Sequence, residues 1–113
     1  MNRRGEAAEN LAAEFLERRG LTILERNYRC RFGEIDIVAR SGAQLVFVEV
    51  RARRTEAFGG AAGSITAAKR RRLVAVARHY LAARRVDRPC RFDVVLVRGA
   101  GQEVDWLTDA FGG

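Results

Sequence analysis

The chain has 113 residues, enough for one hydrophobic core and too few for two, so we expect a single domain over 1–113. Hydrophobic residues make up 48% of the chain and charged residues 31%, which excludes a disordered protein, and no apolar run approaches the roughly 20 residues that span a bilayer. The net charge of +7 favours a polyanionic partner, most commonly nucleic acid, although a basic surface for solubility or for an acidic protein has the same charge.

The first predicted element is a helix from about Arg4 to Arg19, which Gly20 ends. Its apolar residues recur at helical spacing and form one side: Ala8, Leu11, Ala12, Phe15 and Leu16. Glu9 falls at the border of this side. It can lean over the edge of the core toward a neighbouring element, or it can be a solvated residue on the helix flank.

Three strands are predicted next, and the last two form a hairpin around a Ser-Gly turn. Their ranges are Leu21–Tyr28, Gly33–Ala39 and Leu45–Arg51. Alternation puts Ile35, Ile37, Val46, Val48 and Val50 on one face of the hairpin, and Val38, Leu45, Phe47, Glu34, Asp36, Glu49 and Arg51 on the other. Both faces carry apolar residues, so we expect a central sheet that is covered on both sides.

A glycine-rich loop over 52–63 leads into a second helix, with Ser64 or Thr66 as its N-cap and its end near Arg85. The buried stripe of this helix is predicted to be Leu73, Val76, Ala77 and Tyr80. Pro89 separates the helix from a buried strand over 92–97. The tail, with Trp106 and Phe111, is expected to pack back as a short strand or turn. The predicted order is α-β-β-β-α-β, an α/β domain.

Two features bear on the compartment. Cys30 and Cys90 have the spacing of neither a disulfide framework nor a metal site, so we interpret them as reduced, partly buried thiols. The first ten residues, MNRRGEAAEN, lack the apolar segment of a signal peptide. We therefore expect a cytoplasmic protein with no membrane partner.

The hairpin carries carboxylates where a sheet normally has apolar residues. Asp36 and Glu49 are expected on one face of adjacent strands, with roughly 5–8 Å between their Cβ atoms. Carboxylates this close repel each other unless a positive charge lies between them. A divalent cation such as Mg²⁺, or Mn²⁺ in its place, would meet that need, and so would an arginine such as Arg51 in a purely structural cluster. The spacing alone leaves both interpretations open.

These residues carry a resemblance to a known group of nucleases. Gly33-Glu34-Ile35-Asp36 followed by Phe47-Val48-Glu49-Val50-Arg51 resembles the D-x(n)-E-x-K core of the PD-(D/E)xK superfamily. From about Gly5 to Val97 the chain resembles the bacterial YraN family, endonuclease-like proteins similar in fold to archaeal Holliday junction resolvases. The other matching residues are Gly5, Glu9, Arg26-Asn27-Tyr28, Phe58-Gly59 and Lys69.

The resemblance implies a restriction-endonuclease-like core, with a mixed central sheet flanked by helices on both faces. It implies that Asp36 and Glu49 ligate Mg²⁺ or Mn²⁺, with the backbone carbonyl of Val50 as a further ligand. Glu9 would complete this cluster. Glu34 lies at a motif position where it would orient Asp36, a water molecule or the nucleic acid.

Arg51 departs from the superfamily pattern, which has lysine at this position. Arginine can stabilise charge, but its guanidinium holds its proton too firmly to act readily as a base. Lys69, the only lysine among the 21 basic residues, falls on the apolar side of the second helix in its first turn. It either covers the edge of the core with its aliphatic stem or contacts the scissile phosphate or its water.

The expected function is hydrolysis of phosphodiester bonds in DNA, including branched DNA, by a metal-dependent endonuclease-like protein. The nucleic-acid backbone would be held by Arg51, Arg53, Arg54, Lys69, Arg70, Arg71 and Arg72. Analogy with the resolvases also implies a homodimer. Two alternatives remain: a nucleic-acid-binding module of the same fold that has lost catalysis, and a basic adaptor for an acidic protein.

Overall fold

The structure is a computed structural model that describes residues 3–53, 66–99 and 103–111; the side chains of 3–5 and 53 lie outside this description. The elements in chain order are α1 (Arg3–Arg18), β1 (Thr22–Cys30), β2 (Gly33–Ser41), β3 (Gln44–Arg53), α2 (Ala67–Arg84), β4 (Cys90–Arg98) and β5 (Glu103–Phe111). The predicted order is confirmed as far as β4. The tail, expected to be a short strand or turn, contributes a full strand of nine residues.

The five strands form one mixed sheet in the order β1-β2-β3-β4-β5. The β3–β4 pair is parallel, because the chain crosses over through α2 between them, and the other pairs are antiparallel. This α/β architecture is compatible with a restriction-endonuclease-like core. Neither α1 nor α2, the helices among the described residues, is long and apolar enough to cross a membrane.

Helices cover both faces of the sheet, as predicted. On one face, α1 buries Ala8, Ala12 and Leu16 against residues that include Ile37, Val46, Val48 and Val95. On the other, α2 buries Leu73, Val76, Ala77 and Tyr80, the predicted stripe, against residues that include Val38, Phe47 and Val94. The sheet is therefore the middle layer of three, and its central strands are apolar on both sides.

The predicted alternation along β2 is wrong at one residue. Ile35 packs in the cluster under α2, whereas Ile37 packs under α1, although strict alternation would put them on the same face. Strand β2 pairs with β3 from Ile37↔Val48 to Ser41↔Gln44. Asp36 lies one residue before Ile37, outside this pairing, and its Oδ2 accepts the backbone N–H of Val50 at 2.7 Å. The carboxylate takes the place of a backbone acceptor, so the two strands separate here.

The neighbouring strand is irregular at the same level. Arg26 pairs with Ile37 and Tyr28 with Ile35, so Asn27 lies beside Asp36. Asn27 has a φ of 56°, in the left-handed region that asparagine tolerates better than most residues. The irregular backbone of β1 and β2 thus coincides with the position of Asp36.

The start of α2 is fixed by one of the two predicted caps. The side chain of Thr66 accepts the backbone N–H of Lys69 at 3.1 Å, which places Lys69 in the first turn of the helix. Ser64, the other candidate, lies outside the described residues. The helix ends at Arg84, and the C-cap residue Arg85 has a left-handed conformation.

A buried carboxylate that sequence reasoning missed holds β5 in place. Asp93 is 0% exposed and accepts hydrogen bonds from the Arg91 guanidinium. It also accepts the indole N–H of Trp106 at 2.9 Å and the backbone N–H of Asp109 at 2.9 Å. The β4–β5 register shifts between Phe92 and Val94, at Asp93 itself. Asp93 therefore joins the last two strands where their backbone pairing is irregular.

Candidate functional site

A cavity of about 370 Å³ opens where β2 and β3 separate, beneath the first turns of α2. Its lining, which defines the acidic cavity, is Gly33, Glu34, Asp36, Glu49, Val50, Lys69, Arg72, Leu73 and Val76. Gly33 opens β2 with a φ of 141°, a conformation for which glycine is suited, and a Cβ there would lie 3.6 Å from Val76. The acidic cavity thus brings residues from two strands and a helix together.

Asp36 lies inside this cavity with one carboxylate oxygen fixed by the Val50 N–H. Burial, and next the negative charge of Glu49, raise the pKa of Asp36 to about 7. The hydrogen bond from Val50 opposes this rise, and the charges of Glu9 and Glu34 add to it. The local environment therefore disfavours a charged Asp36, and a cation bound beside it would favour ionisation.

Glu49 is only 9% exposed and has two cationic neighbours. Nζ of Lys69 lies 2.6 Å from its Oε2, and Nη1 of Arg51 lies 3.4 Å from the same oxygen. Lys69 reaches Glu49 from the first turn of α2, since helical side chains lean toward the N-terminal end of their helix. The lysine is 29% exposed and can meet a ligand in the cavity. Lys69 therefore does more than cover the core edge, since it forms an ion pair with Glu49, and its contact with a phosphate or water stays a prediction.

Glu9 is buried at 6% exposure and lies on α1. Its Oε1 accepts hydrogen bonds from Nε and Nη2 of Arg26, at 3.1 and 2.9 Å, and from Nδ2 of Asn27 at 2.8 Å. Glu9 thus leans over the core edge toward β1, which was one of the two expected positions. Its charge reaches Asp36, but it is outside the lining of the acidic cavity.

Three of the four residues predicted to bind the metal line the acidic cavity, and Glu9 does not. Asp36 and Glu49 line the same cavity, together with Val50, whose carbonyl was expected as a further ligand. Among the described residues, no three carboxylate, histidine or cysteine side chains lie close enough to hold one metal ion. The role of Glu9 as a third ligand stays a prediction.

Glu34 lines the cavity, and its Oε2 lies 3.0 Å from Nε of Arg29. Arg29 was not singled out from the sequence, and neither was the contact of Arg26 with Glu9. Arg26 and Asn27 did appear in the motif Arg26-Asn27-Tyr28, but no sequence pattern predicts that their side chains meet on a helix glutamate 17 residues away. These contacts fix the carboxylates around Asp36.

Only some of the basic residues predicted on α2 face the acidic cavity, because the helix repeats every 3.6 residues. Arg72 lines the acidic cavity with Lys69, three residues earlier. Arg70 points elsewhere, with its guanidinium carbon 5.7 Å from the ring centroid of Phe111, and Arg71 is exposed. Arg53 ends β3 but its side chain is not described, and Arg54 and Phe58-Gly59 lie outside the described residues.

Comparison with known proteins assigns the chain to a family. The model of "Uncharacterised protein family UPF0102" matches residues 8–97, which include every residue of the acidic cavity. A UPF0102 protein of Nitrosomonas europaea is 56% identical over 109 residues, covering 96% of this chain and 92% of its own. The UPF0102 protein of Methylobacillus flagellatus is 50% identical and covers 98% of each chain. That of Ralstonia pickettii is 54% identical and covers 96% of this chain and 89% of its own. The chain belongs to the UPF0102 family.

Proposed function

We propose that this protein is a metal-dependent endonuclease-like enzyme of the YraN type that hydrolyses phosphodiester bonds in DNA. One observation carries the proposal: Asp36, Glu49 and Lys69, from β2, β3 and α2, line one cavity. This combination of two carboxylates and an amine resembles the motif of the PD-(D/E)xK nucleases, with its lysine supplied by a helix instead of β3. The net charge of +7 supports a polyanionic substrate.

Asp36, Glu49 and the Val50 carbonyl would hold Mg²⁺ or Mn²⁺. The fit rests on the donor set, because Mg²⁺ is commonly bound by one or two carboxylates, water molecules and substrate phosphate. It also rests on Asp36. Burial, and next the repulsion from Glu49, raise the pKa of Asp36 to about 7, so a positive charge beside this carboxylate would be favourable. Such an ion polarises a phosphate oxygen and lowers the pKa of water.

The chain's own cations would bind and orient the phosphate. Lys69 and Arg72 line the cavity, and Arg51 contacts Glu49 at its border. Charge-assisted hydrogen bonds from these groups suit phosphate oxygens. As residue types, an amine is better suited to proton transfer than a guanidinium. We therefore assign to Lys69 the orientation of the attacking water and to Arg51 the stabilisation of charge.

One observation favours a second candidate function, nucleic-acid binding without hydrolysis. Lys69 and Arg51 both lie against Oε2 of Glu49, so that this carboxylate is already neutralised within the chain. An ion pair of this kind can be structural, with exposed arginines such as Arg71 and Arg72 holding a nucleic-acid backbone. In that case, the protein would bind DNA without any requirement for a divalent cation.

The test is cleavage of linear, nicked and four-way DNA with Mg²⁺, Mn²⁺ or EDTA, with binding measured on the same substrates. We expect metal-dependent cleavage that Asp36→Asn abolishes. Glu14→Gln is the matched control, since Glu14 is an exposed carboxylate on α1 paired with Arg18. Salt-sensitive binding without cleavage would support the second candidate. Failure to cleave or bind any of these DNAs would favour an adaptor for an acidic protein.

A further inference from the structure

Phe32 is an exposed aromatic residue beside the acidic cavity. It is 40% exposed and, with Arg31, forms the two-residue connection between β1 and β2. The next two residues, Gly33 and Glu34, line the cavity. Short hairpin connections favour glycine, asparagine and aspartate, whose backbones suit tight turns. The turn itself therefore does not account for a phenylalanine at this position.

The ring of Phe32 contacts His79, which in turn contacts the buried Tyr28. It meets His79 of α2 edge-on, with centroids 6.4 Å apart and an interplanar angle of 69°. The Nδ1 atom of His79 is hydrogen-bonded to the hydroxyl of Tyr28 at 2.6 Å. Tyr28 is buried and packs edge-on against Tyr80, with centroids 5.1 Å apart. His79 is itself exposed, but these contacts restrict the positions that the Phe32 ring can take, so less side-chain entropy is lost on stacking than for a side chain without neighbours.

The surroundings of Phe32 suit a nucleic acid. The guanidinium carbon of Arg31 lies 4.8 Å from the ring centroid, and aromatic rings and guanidinium groups both stack on nucleobases. Four residues of extended chain, about 13 Å, separate Phe32 from Asp36, and Arg72 lines the cavity between β2 and α2. A strand with a phosphate in the cavity would therefore have neighbouring bases within reach of Phe32.

We propose that Phe32 and Arg31 form a stacking site for an unpaired nucleobase next to the acidic cavity. Bases in an intact duplex are stacked on their neighbours on both sides, so only an unpaired or splayed base offers a free face to the ring. The preferred ligand is then a nucleic acid with single-stranded or unpaired nucleotides instead of a fully paired duplex. The inference rests on the nucleic-acid binding in the proposed function, and it does not require hydrolysis.

The test compares the binding of a fluorescently labelled single strand and of a blunt duplex of the same sequence, by anisotropy at fixed salt in EDTA. Phe32→Ala and Phe32→Leu should lower the affinity for the single strand on the order of tenfold and leave the affinity for the duplex unchanged. Phe32→Trp should retain binding, and its added fluorescence should be quenched by the single strand. Phe32→Leu keeps apolar bulk beside His79, so it separates the loss of stacking from the loss of packing.

Leu24→Ala is the matched control, because Leu24 is an equally exposed apolar residue of β1, at 44% exposure. An unchanged affinity of Phe32→Leu and Phe32→Ala for the single strand would overturn the proposal, and so would an equal loss in Leu24→Ala. If cleavage depends on Asp36 but binding does not depend on Phe32, the proposed hydrolysis stands and the stacking site does not. Phe32-dependent binding without cleavage would leave the stacking site standing alone. Absence of single-strand binding by the wild type would overturn the stacking site, whereas the proposed hydrolysis is overturned only by absence of cleavage in Mg²⁺ and Mn²⁺.

Discussion

Nζ of Lys69 lies 2.6 Å from Oε2 of Glu49, which joins the first turn of α2 to the middle of β3. The chain carries arginine two residues after Glu49, where the resemblance leads one to expect lysine, and the amine reaches the same carboxylate from the helix instead. The guanidinium of Arg51 lies against the same oxygen at a longer distance, 3.4 Å. The two cations thus share Glu49, and the site combines a compact amine with a planar guanidinium.

The Lys69 contact predicts a specific kinetic effect. If the protein cleaves DNA, Lys69→Ala should lower the single-turnover rate on the order of a hundredfold and change DNA affinity little, because the amine acts on the reacting group. Lys69→Arg keeps the charge beside Glu49 but replaces the amine with a guanidinium, a poorer proton donor and acceptor, so it should stay slow if proton transfer matters. Arg78→Ala, an exposed residue of the same helix that has no assigned part in binding, is the control. Wild-type rates in Lys69→Ala would leave the chemistry to Arg51 and water.

A second prediction concerns metal binding to Asp36 and Glu49. Added Mn²⁺ should raise the melting temperature of the wild type, because a ligand that binds only the folded state stabilises it. Asp36→Asn removes a proposed ligand and should abolish the increase, while Glu14→Gln should retain it. The measurement is differential scanning calorimetry in EDTA and in Mn²⁺. Equal increases in the wild type and Asp36→Asn would count against the site.

A third prediction follows from the raised pKa of Asp36. Its pKa in the folded protein is about 7, above the ordinary value of 3.8, so the folded state binds the proton more tightly than the unfolded chain. In EDTA, its contribution to stability is therefore full below about pH 4 and is lost as the pH rises to about 7, by on the order of 3 kcal/mol. Asp36→Asn, which cannot ionise, should remove this loss.

Urea unfolding of the wild type and Asp36→Asn between pH 4 and 8 measures this effect. The difference in unfolding free energy between the two proteins should shift in favour of the variant as the pH rises. A constant difference across this range would mean that Asp36 has the same pKa in the folded and unfolded states. Comparing the two proteins cancels the contributions of the other titrating groups, provided that the mutation leaves them unchanged.

A fourth prediction separates the arginines of α2. The logarithm of DNA affinity should fall linearly with the logarithm of salt concentration, with a slope set by the number of phosphates neutralised. Arg72→Ala should reduce that slope by about one, because Arg72 lines the acidic cavity with Lys69. Arg70→Ala should change it less, since Arg70 lies over Phe111. Equal slopes for the wild type and Arg72→Ala would place the DNA elsewhere.

Periodic patterns predicted the parts of the fold that depend on regular backbone. Leu73, Val76, Ala77 and Tyr80 are buried together because a straight helix repeats every 3.6 residues, and this repeat is visible in the sequence. Ile35 was misplaced because alternation assumes a regular strand, and the strand becomes irregular where the Asp36 side chain accepts a backbone N–H. No local pattern indicates where a side chain will replace the backbone as an acceptor.

The sequence predicted which residues belong to the candidate site better than it predicted the contacts between them. The acids of two adjacent strands could be expected on one face, but the partners of each acid are set by contacts between distant residues. Glu9 is held by Arg26, 17 positions along the chain, and Glu49 by Lys69, which lies 20 positions further on. The length of β5 was underestimated for a similar reason, since its link to the buried Asp93 joins separate strands.

The last prediction tests this buried link. Asp93 is fully buried between Arg91 on its own strand and Trp106 on β5. Asp93→Ala would leave the N–H groups of Trp106 and Asp109 without their acceptor. It would also remove the ion-pair partner of the Arg91 guanidinium, which is 20% exposed and would keep Oε1 of Gln44 as an acceptor. Loss of one partner of a buried ion pair typically costs about 3–5 kcal/mol, and we expect a loss of unfolding free energy in this range.

Asp93→Asn is the more informative variant because it keeps the shape of the side chain and one acceptor oxygen. It should lose less stability than Asp93→Ala, since its amide oxygen can still accept the indole N–H of Trp106. Asp105→Ala is the control, because Asp105 on β5 is paired with Arg98 but is 49% exposed, and exposed pairs contribute about 0–1 kcal/mol. Urea unfolding followed by tryptophan fluorescence reports directly on Trp106. If Asp93→Ala cost no more than Asp105→Ala, β5 would be held by its backbone pairing with β4, and the buried carboxylate would not be what fixes it.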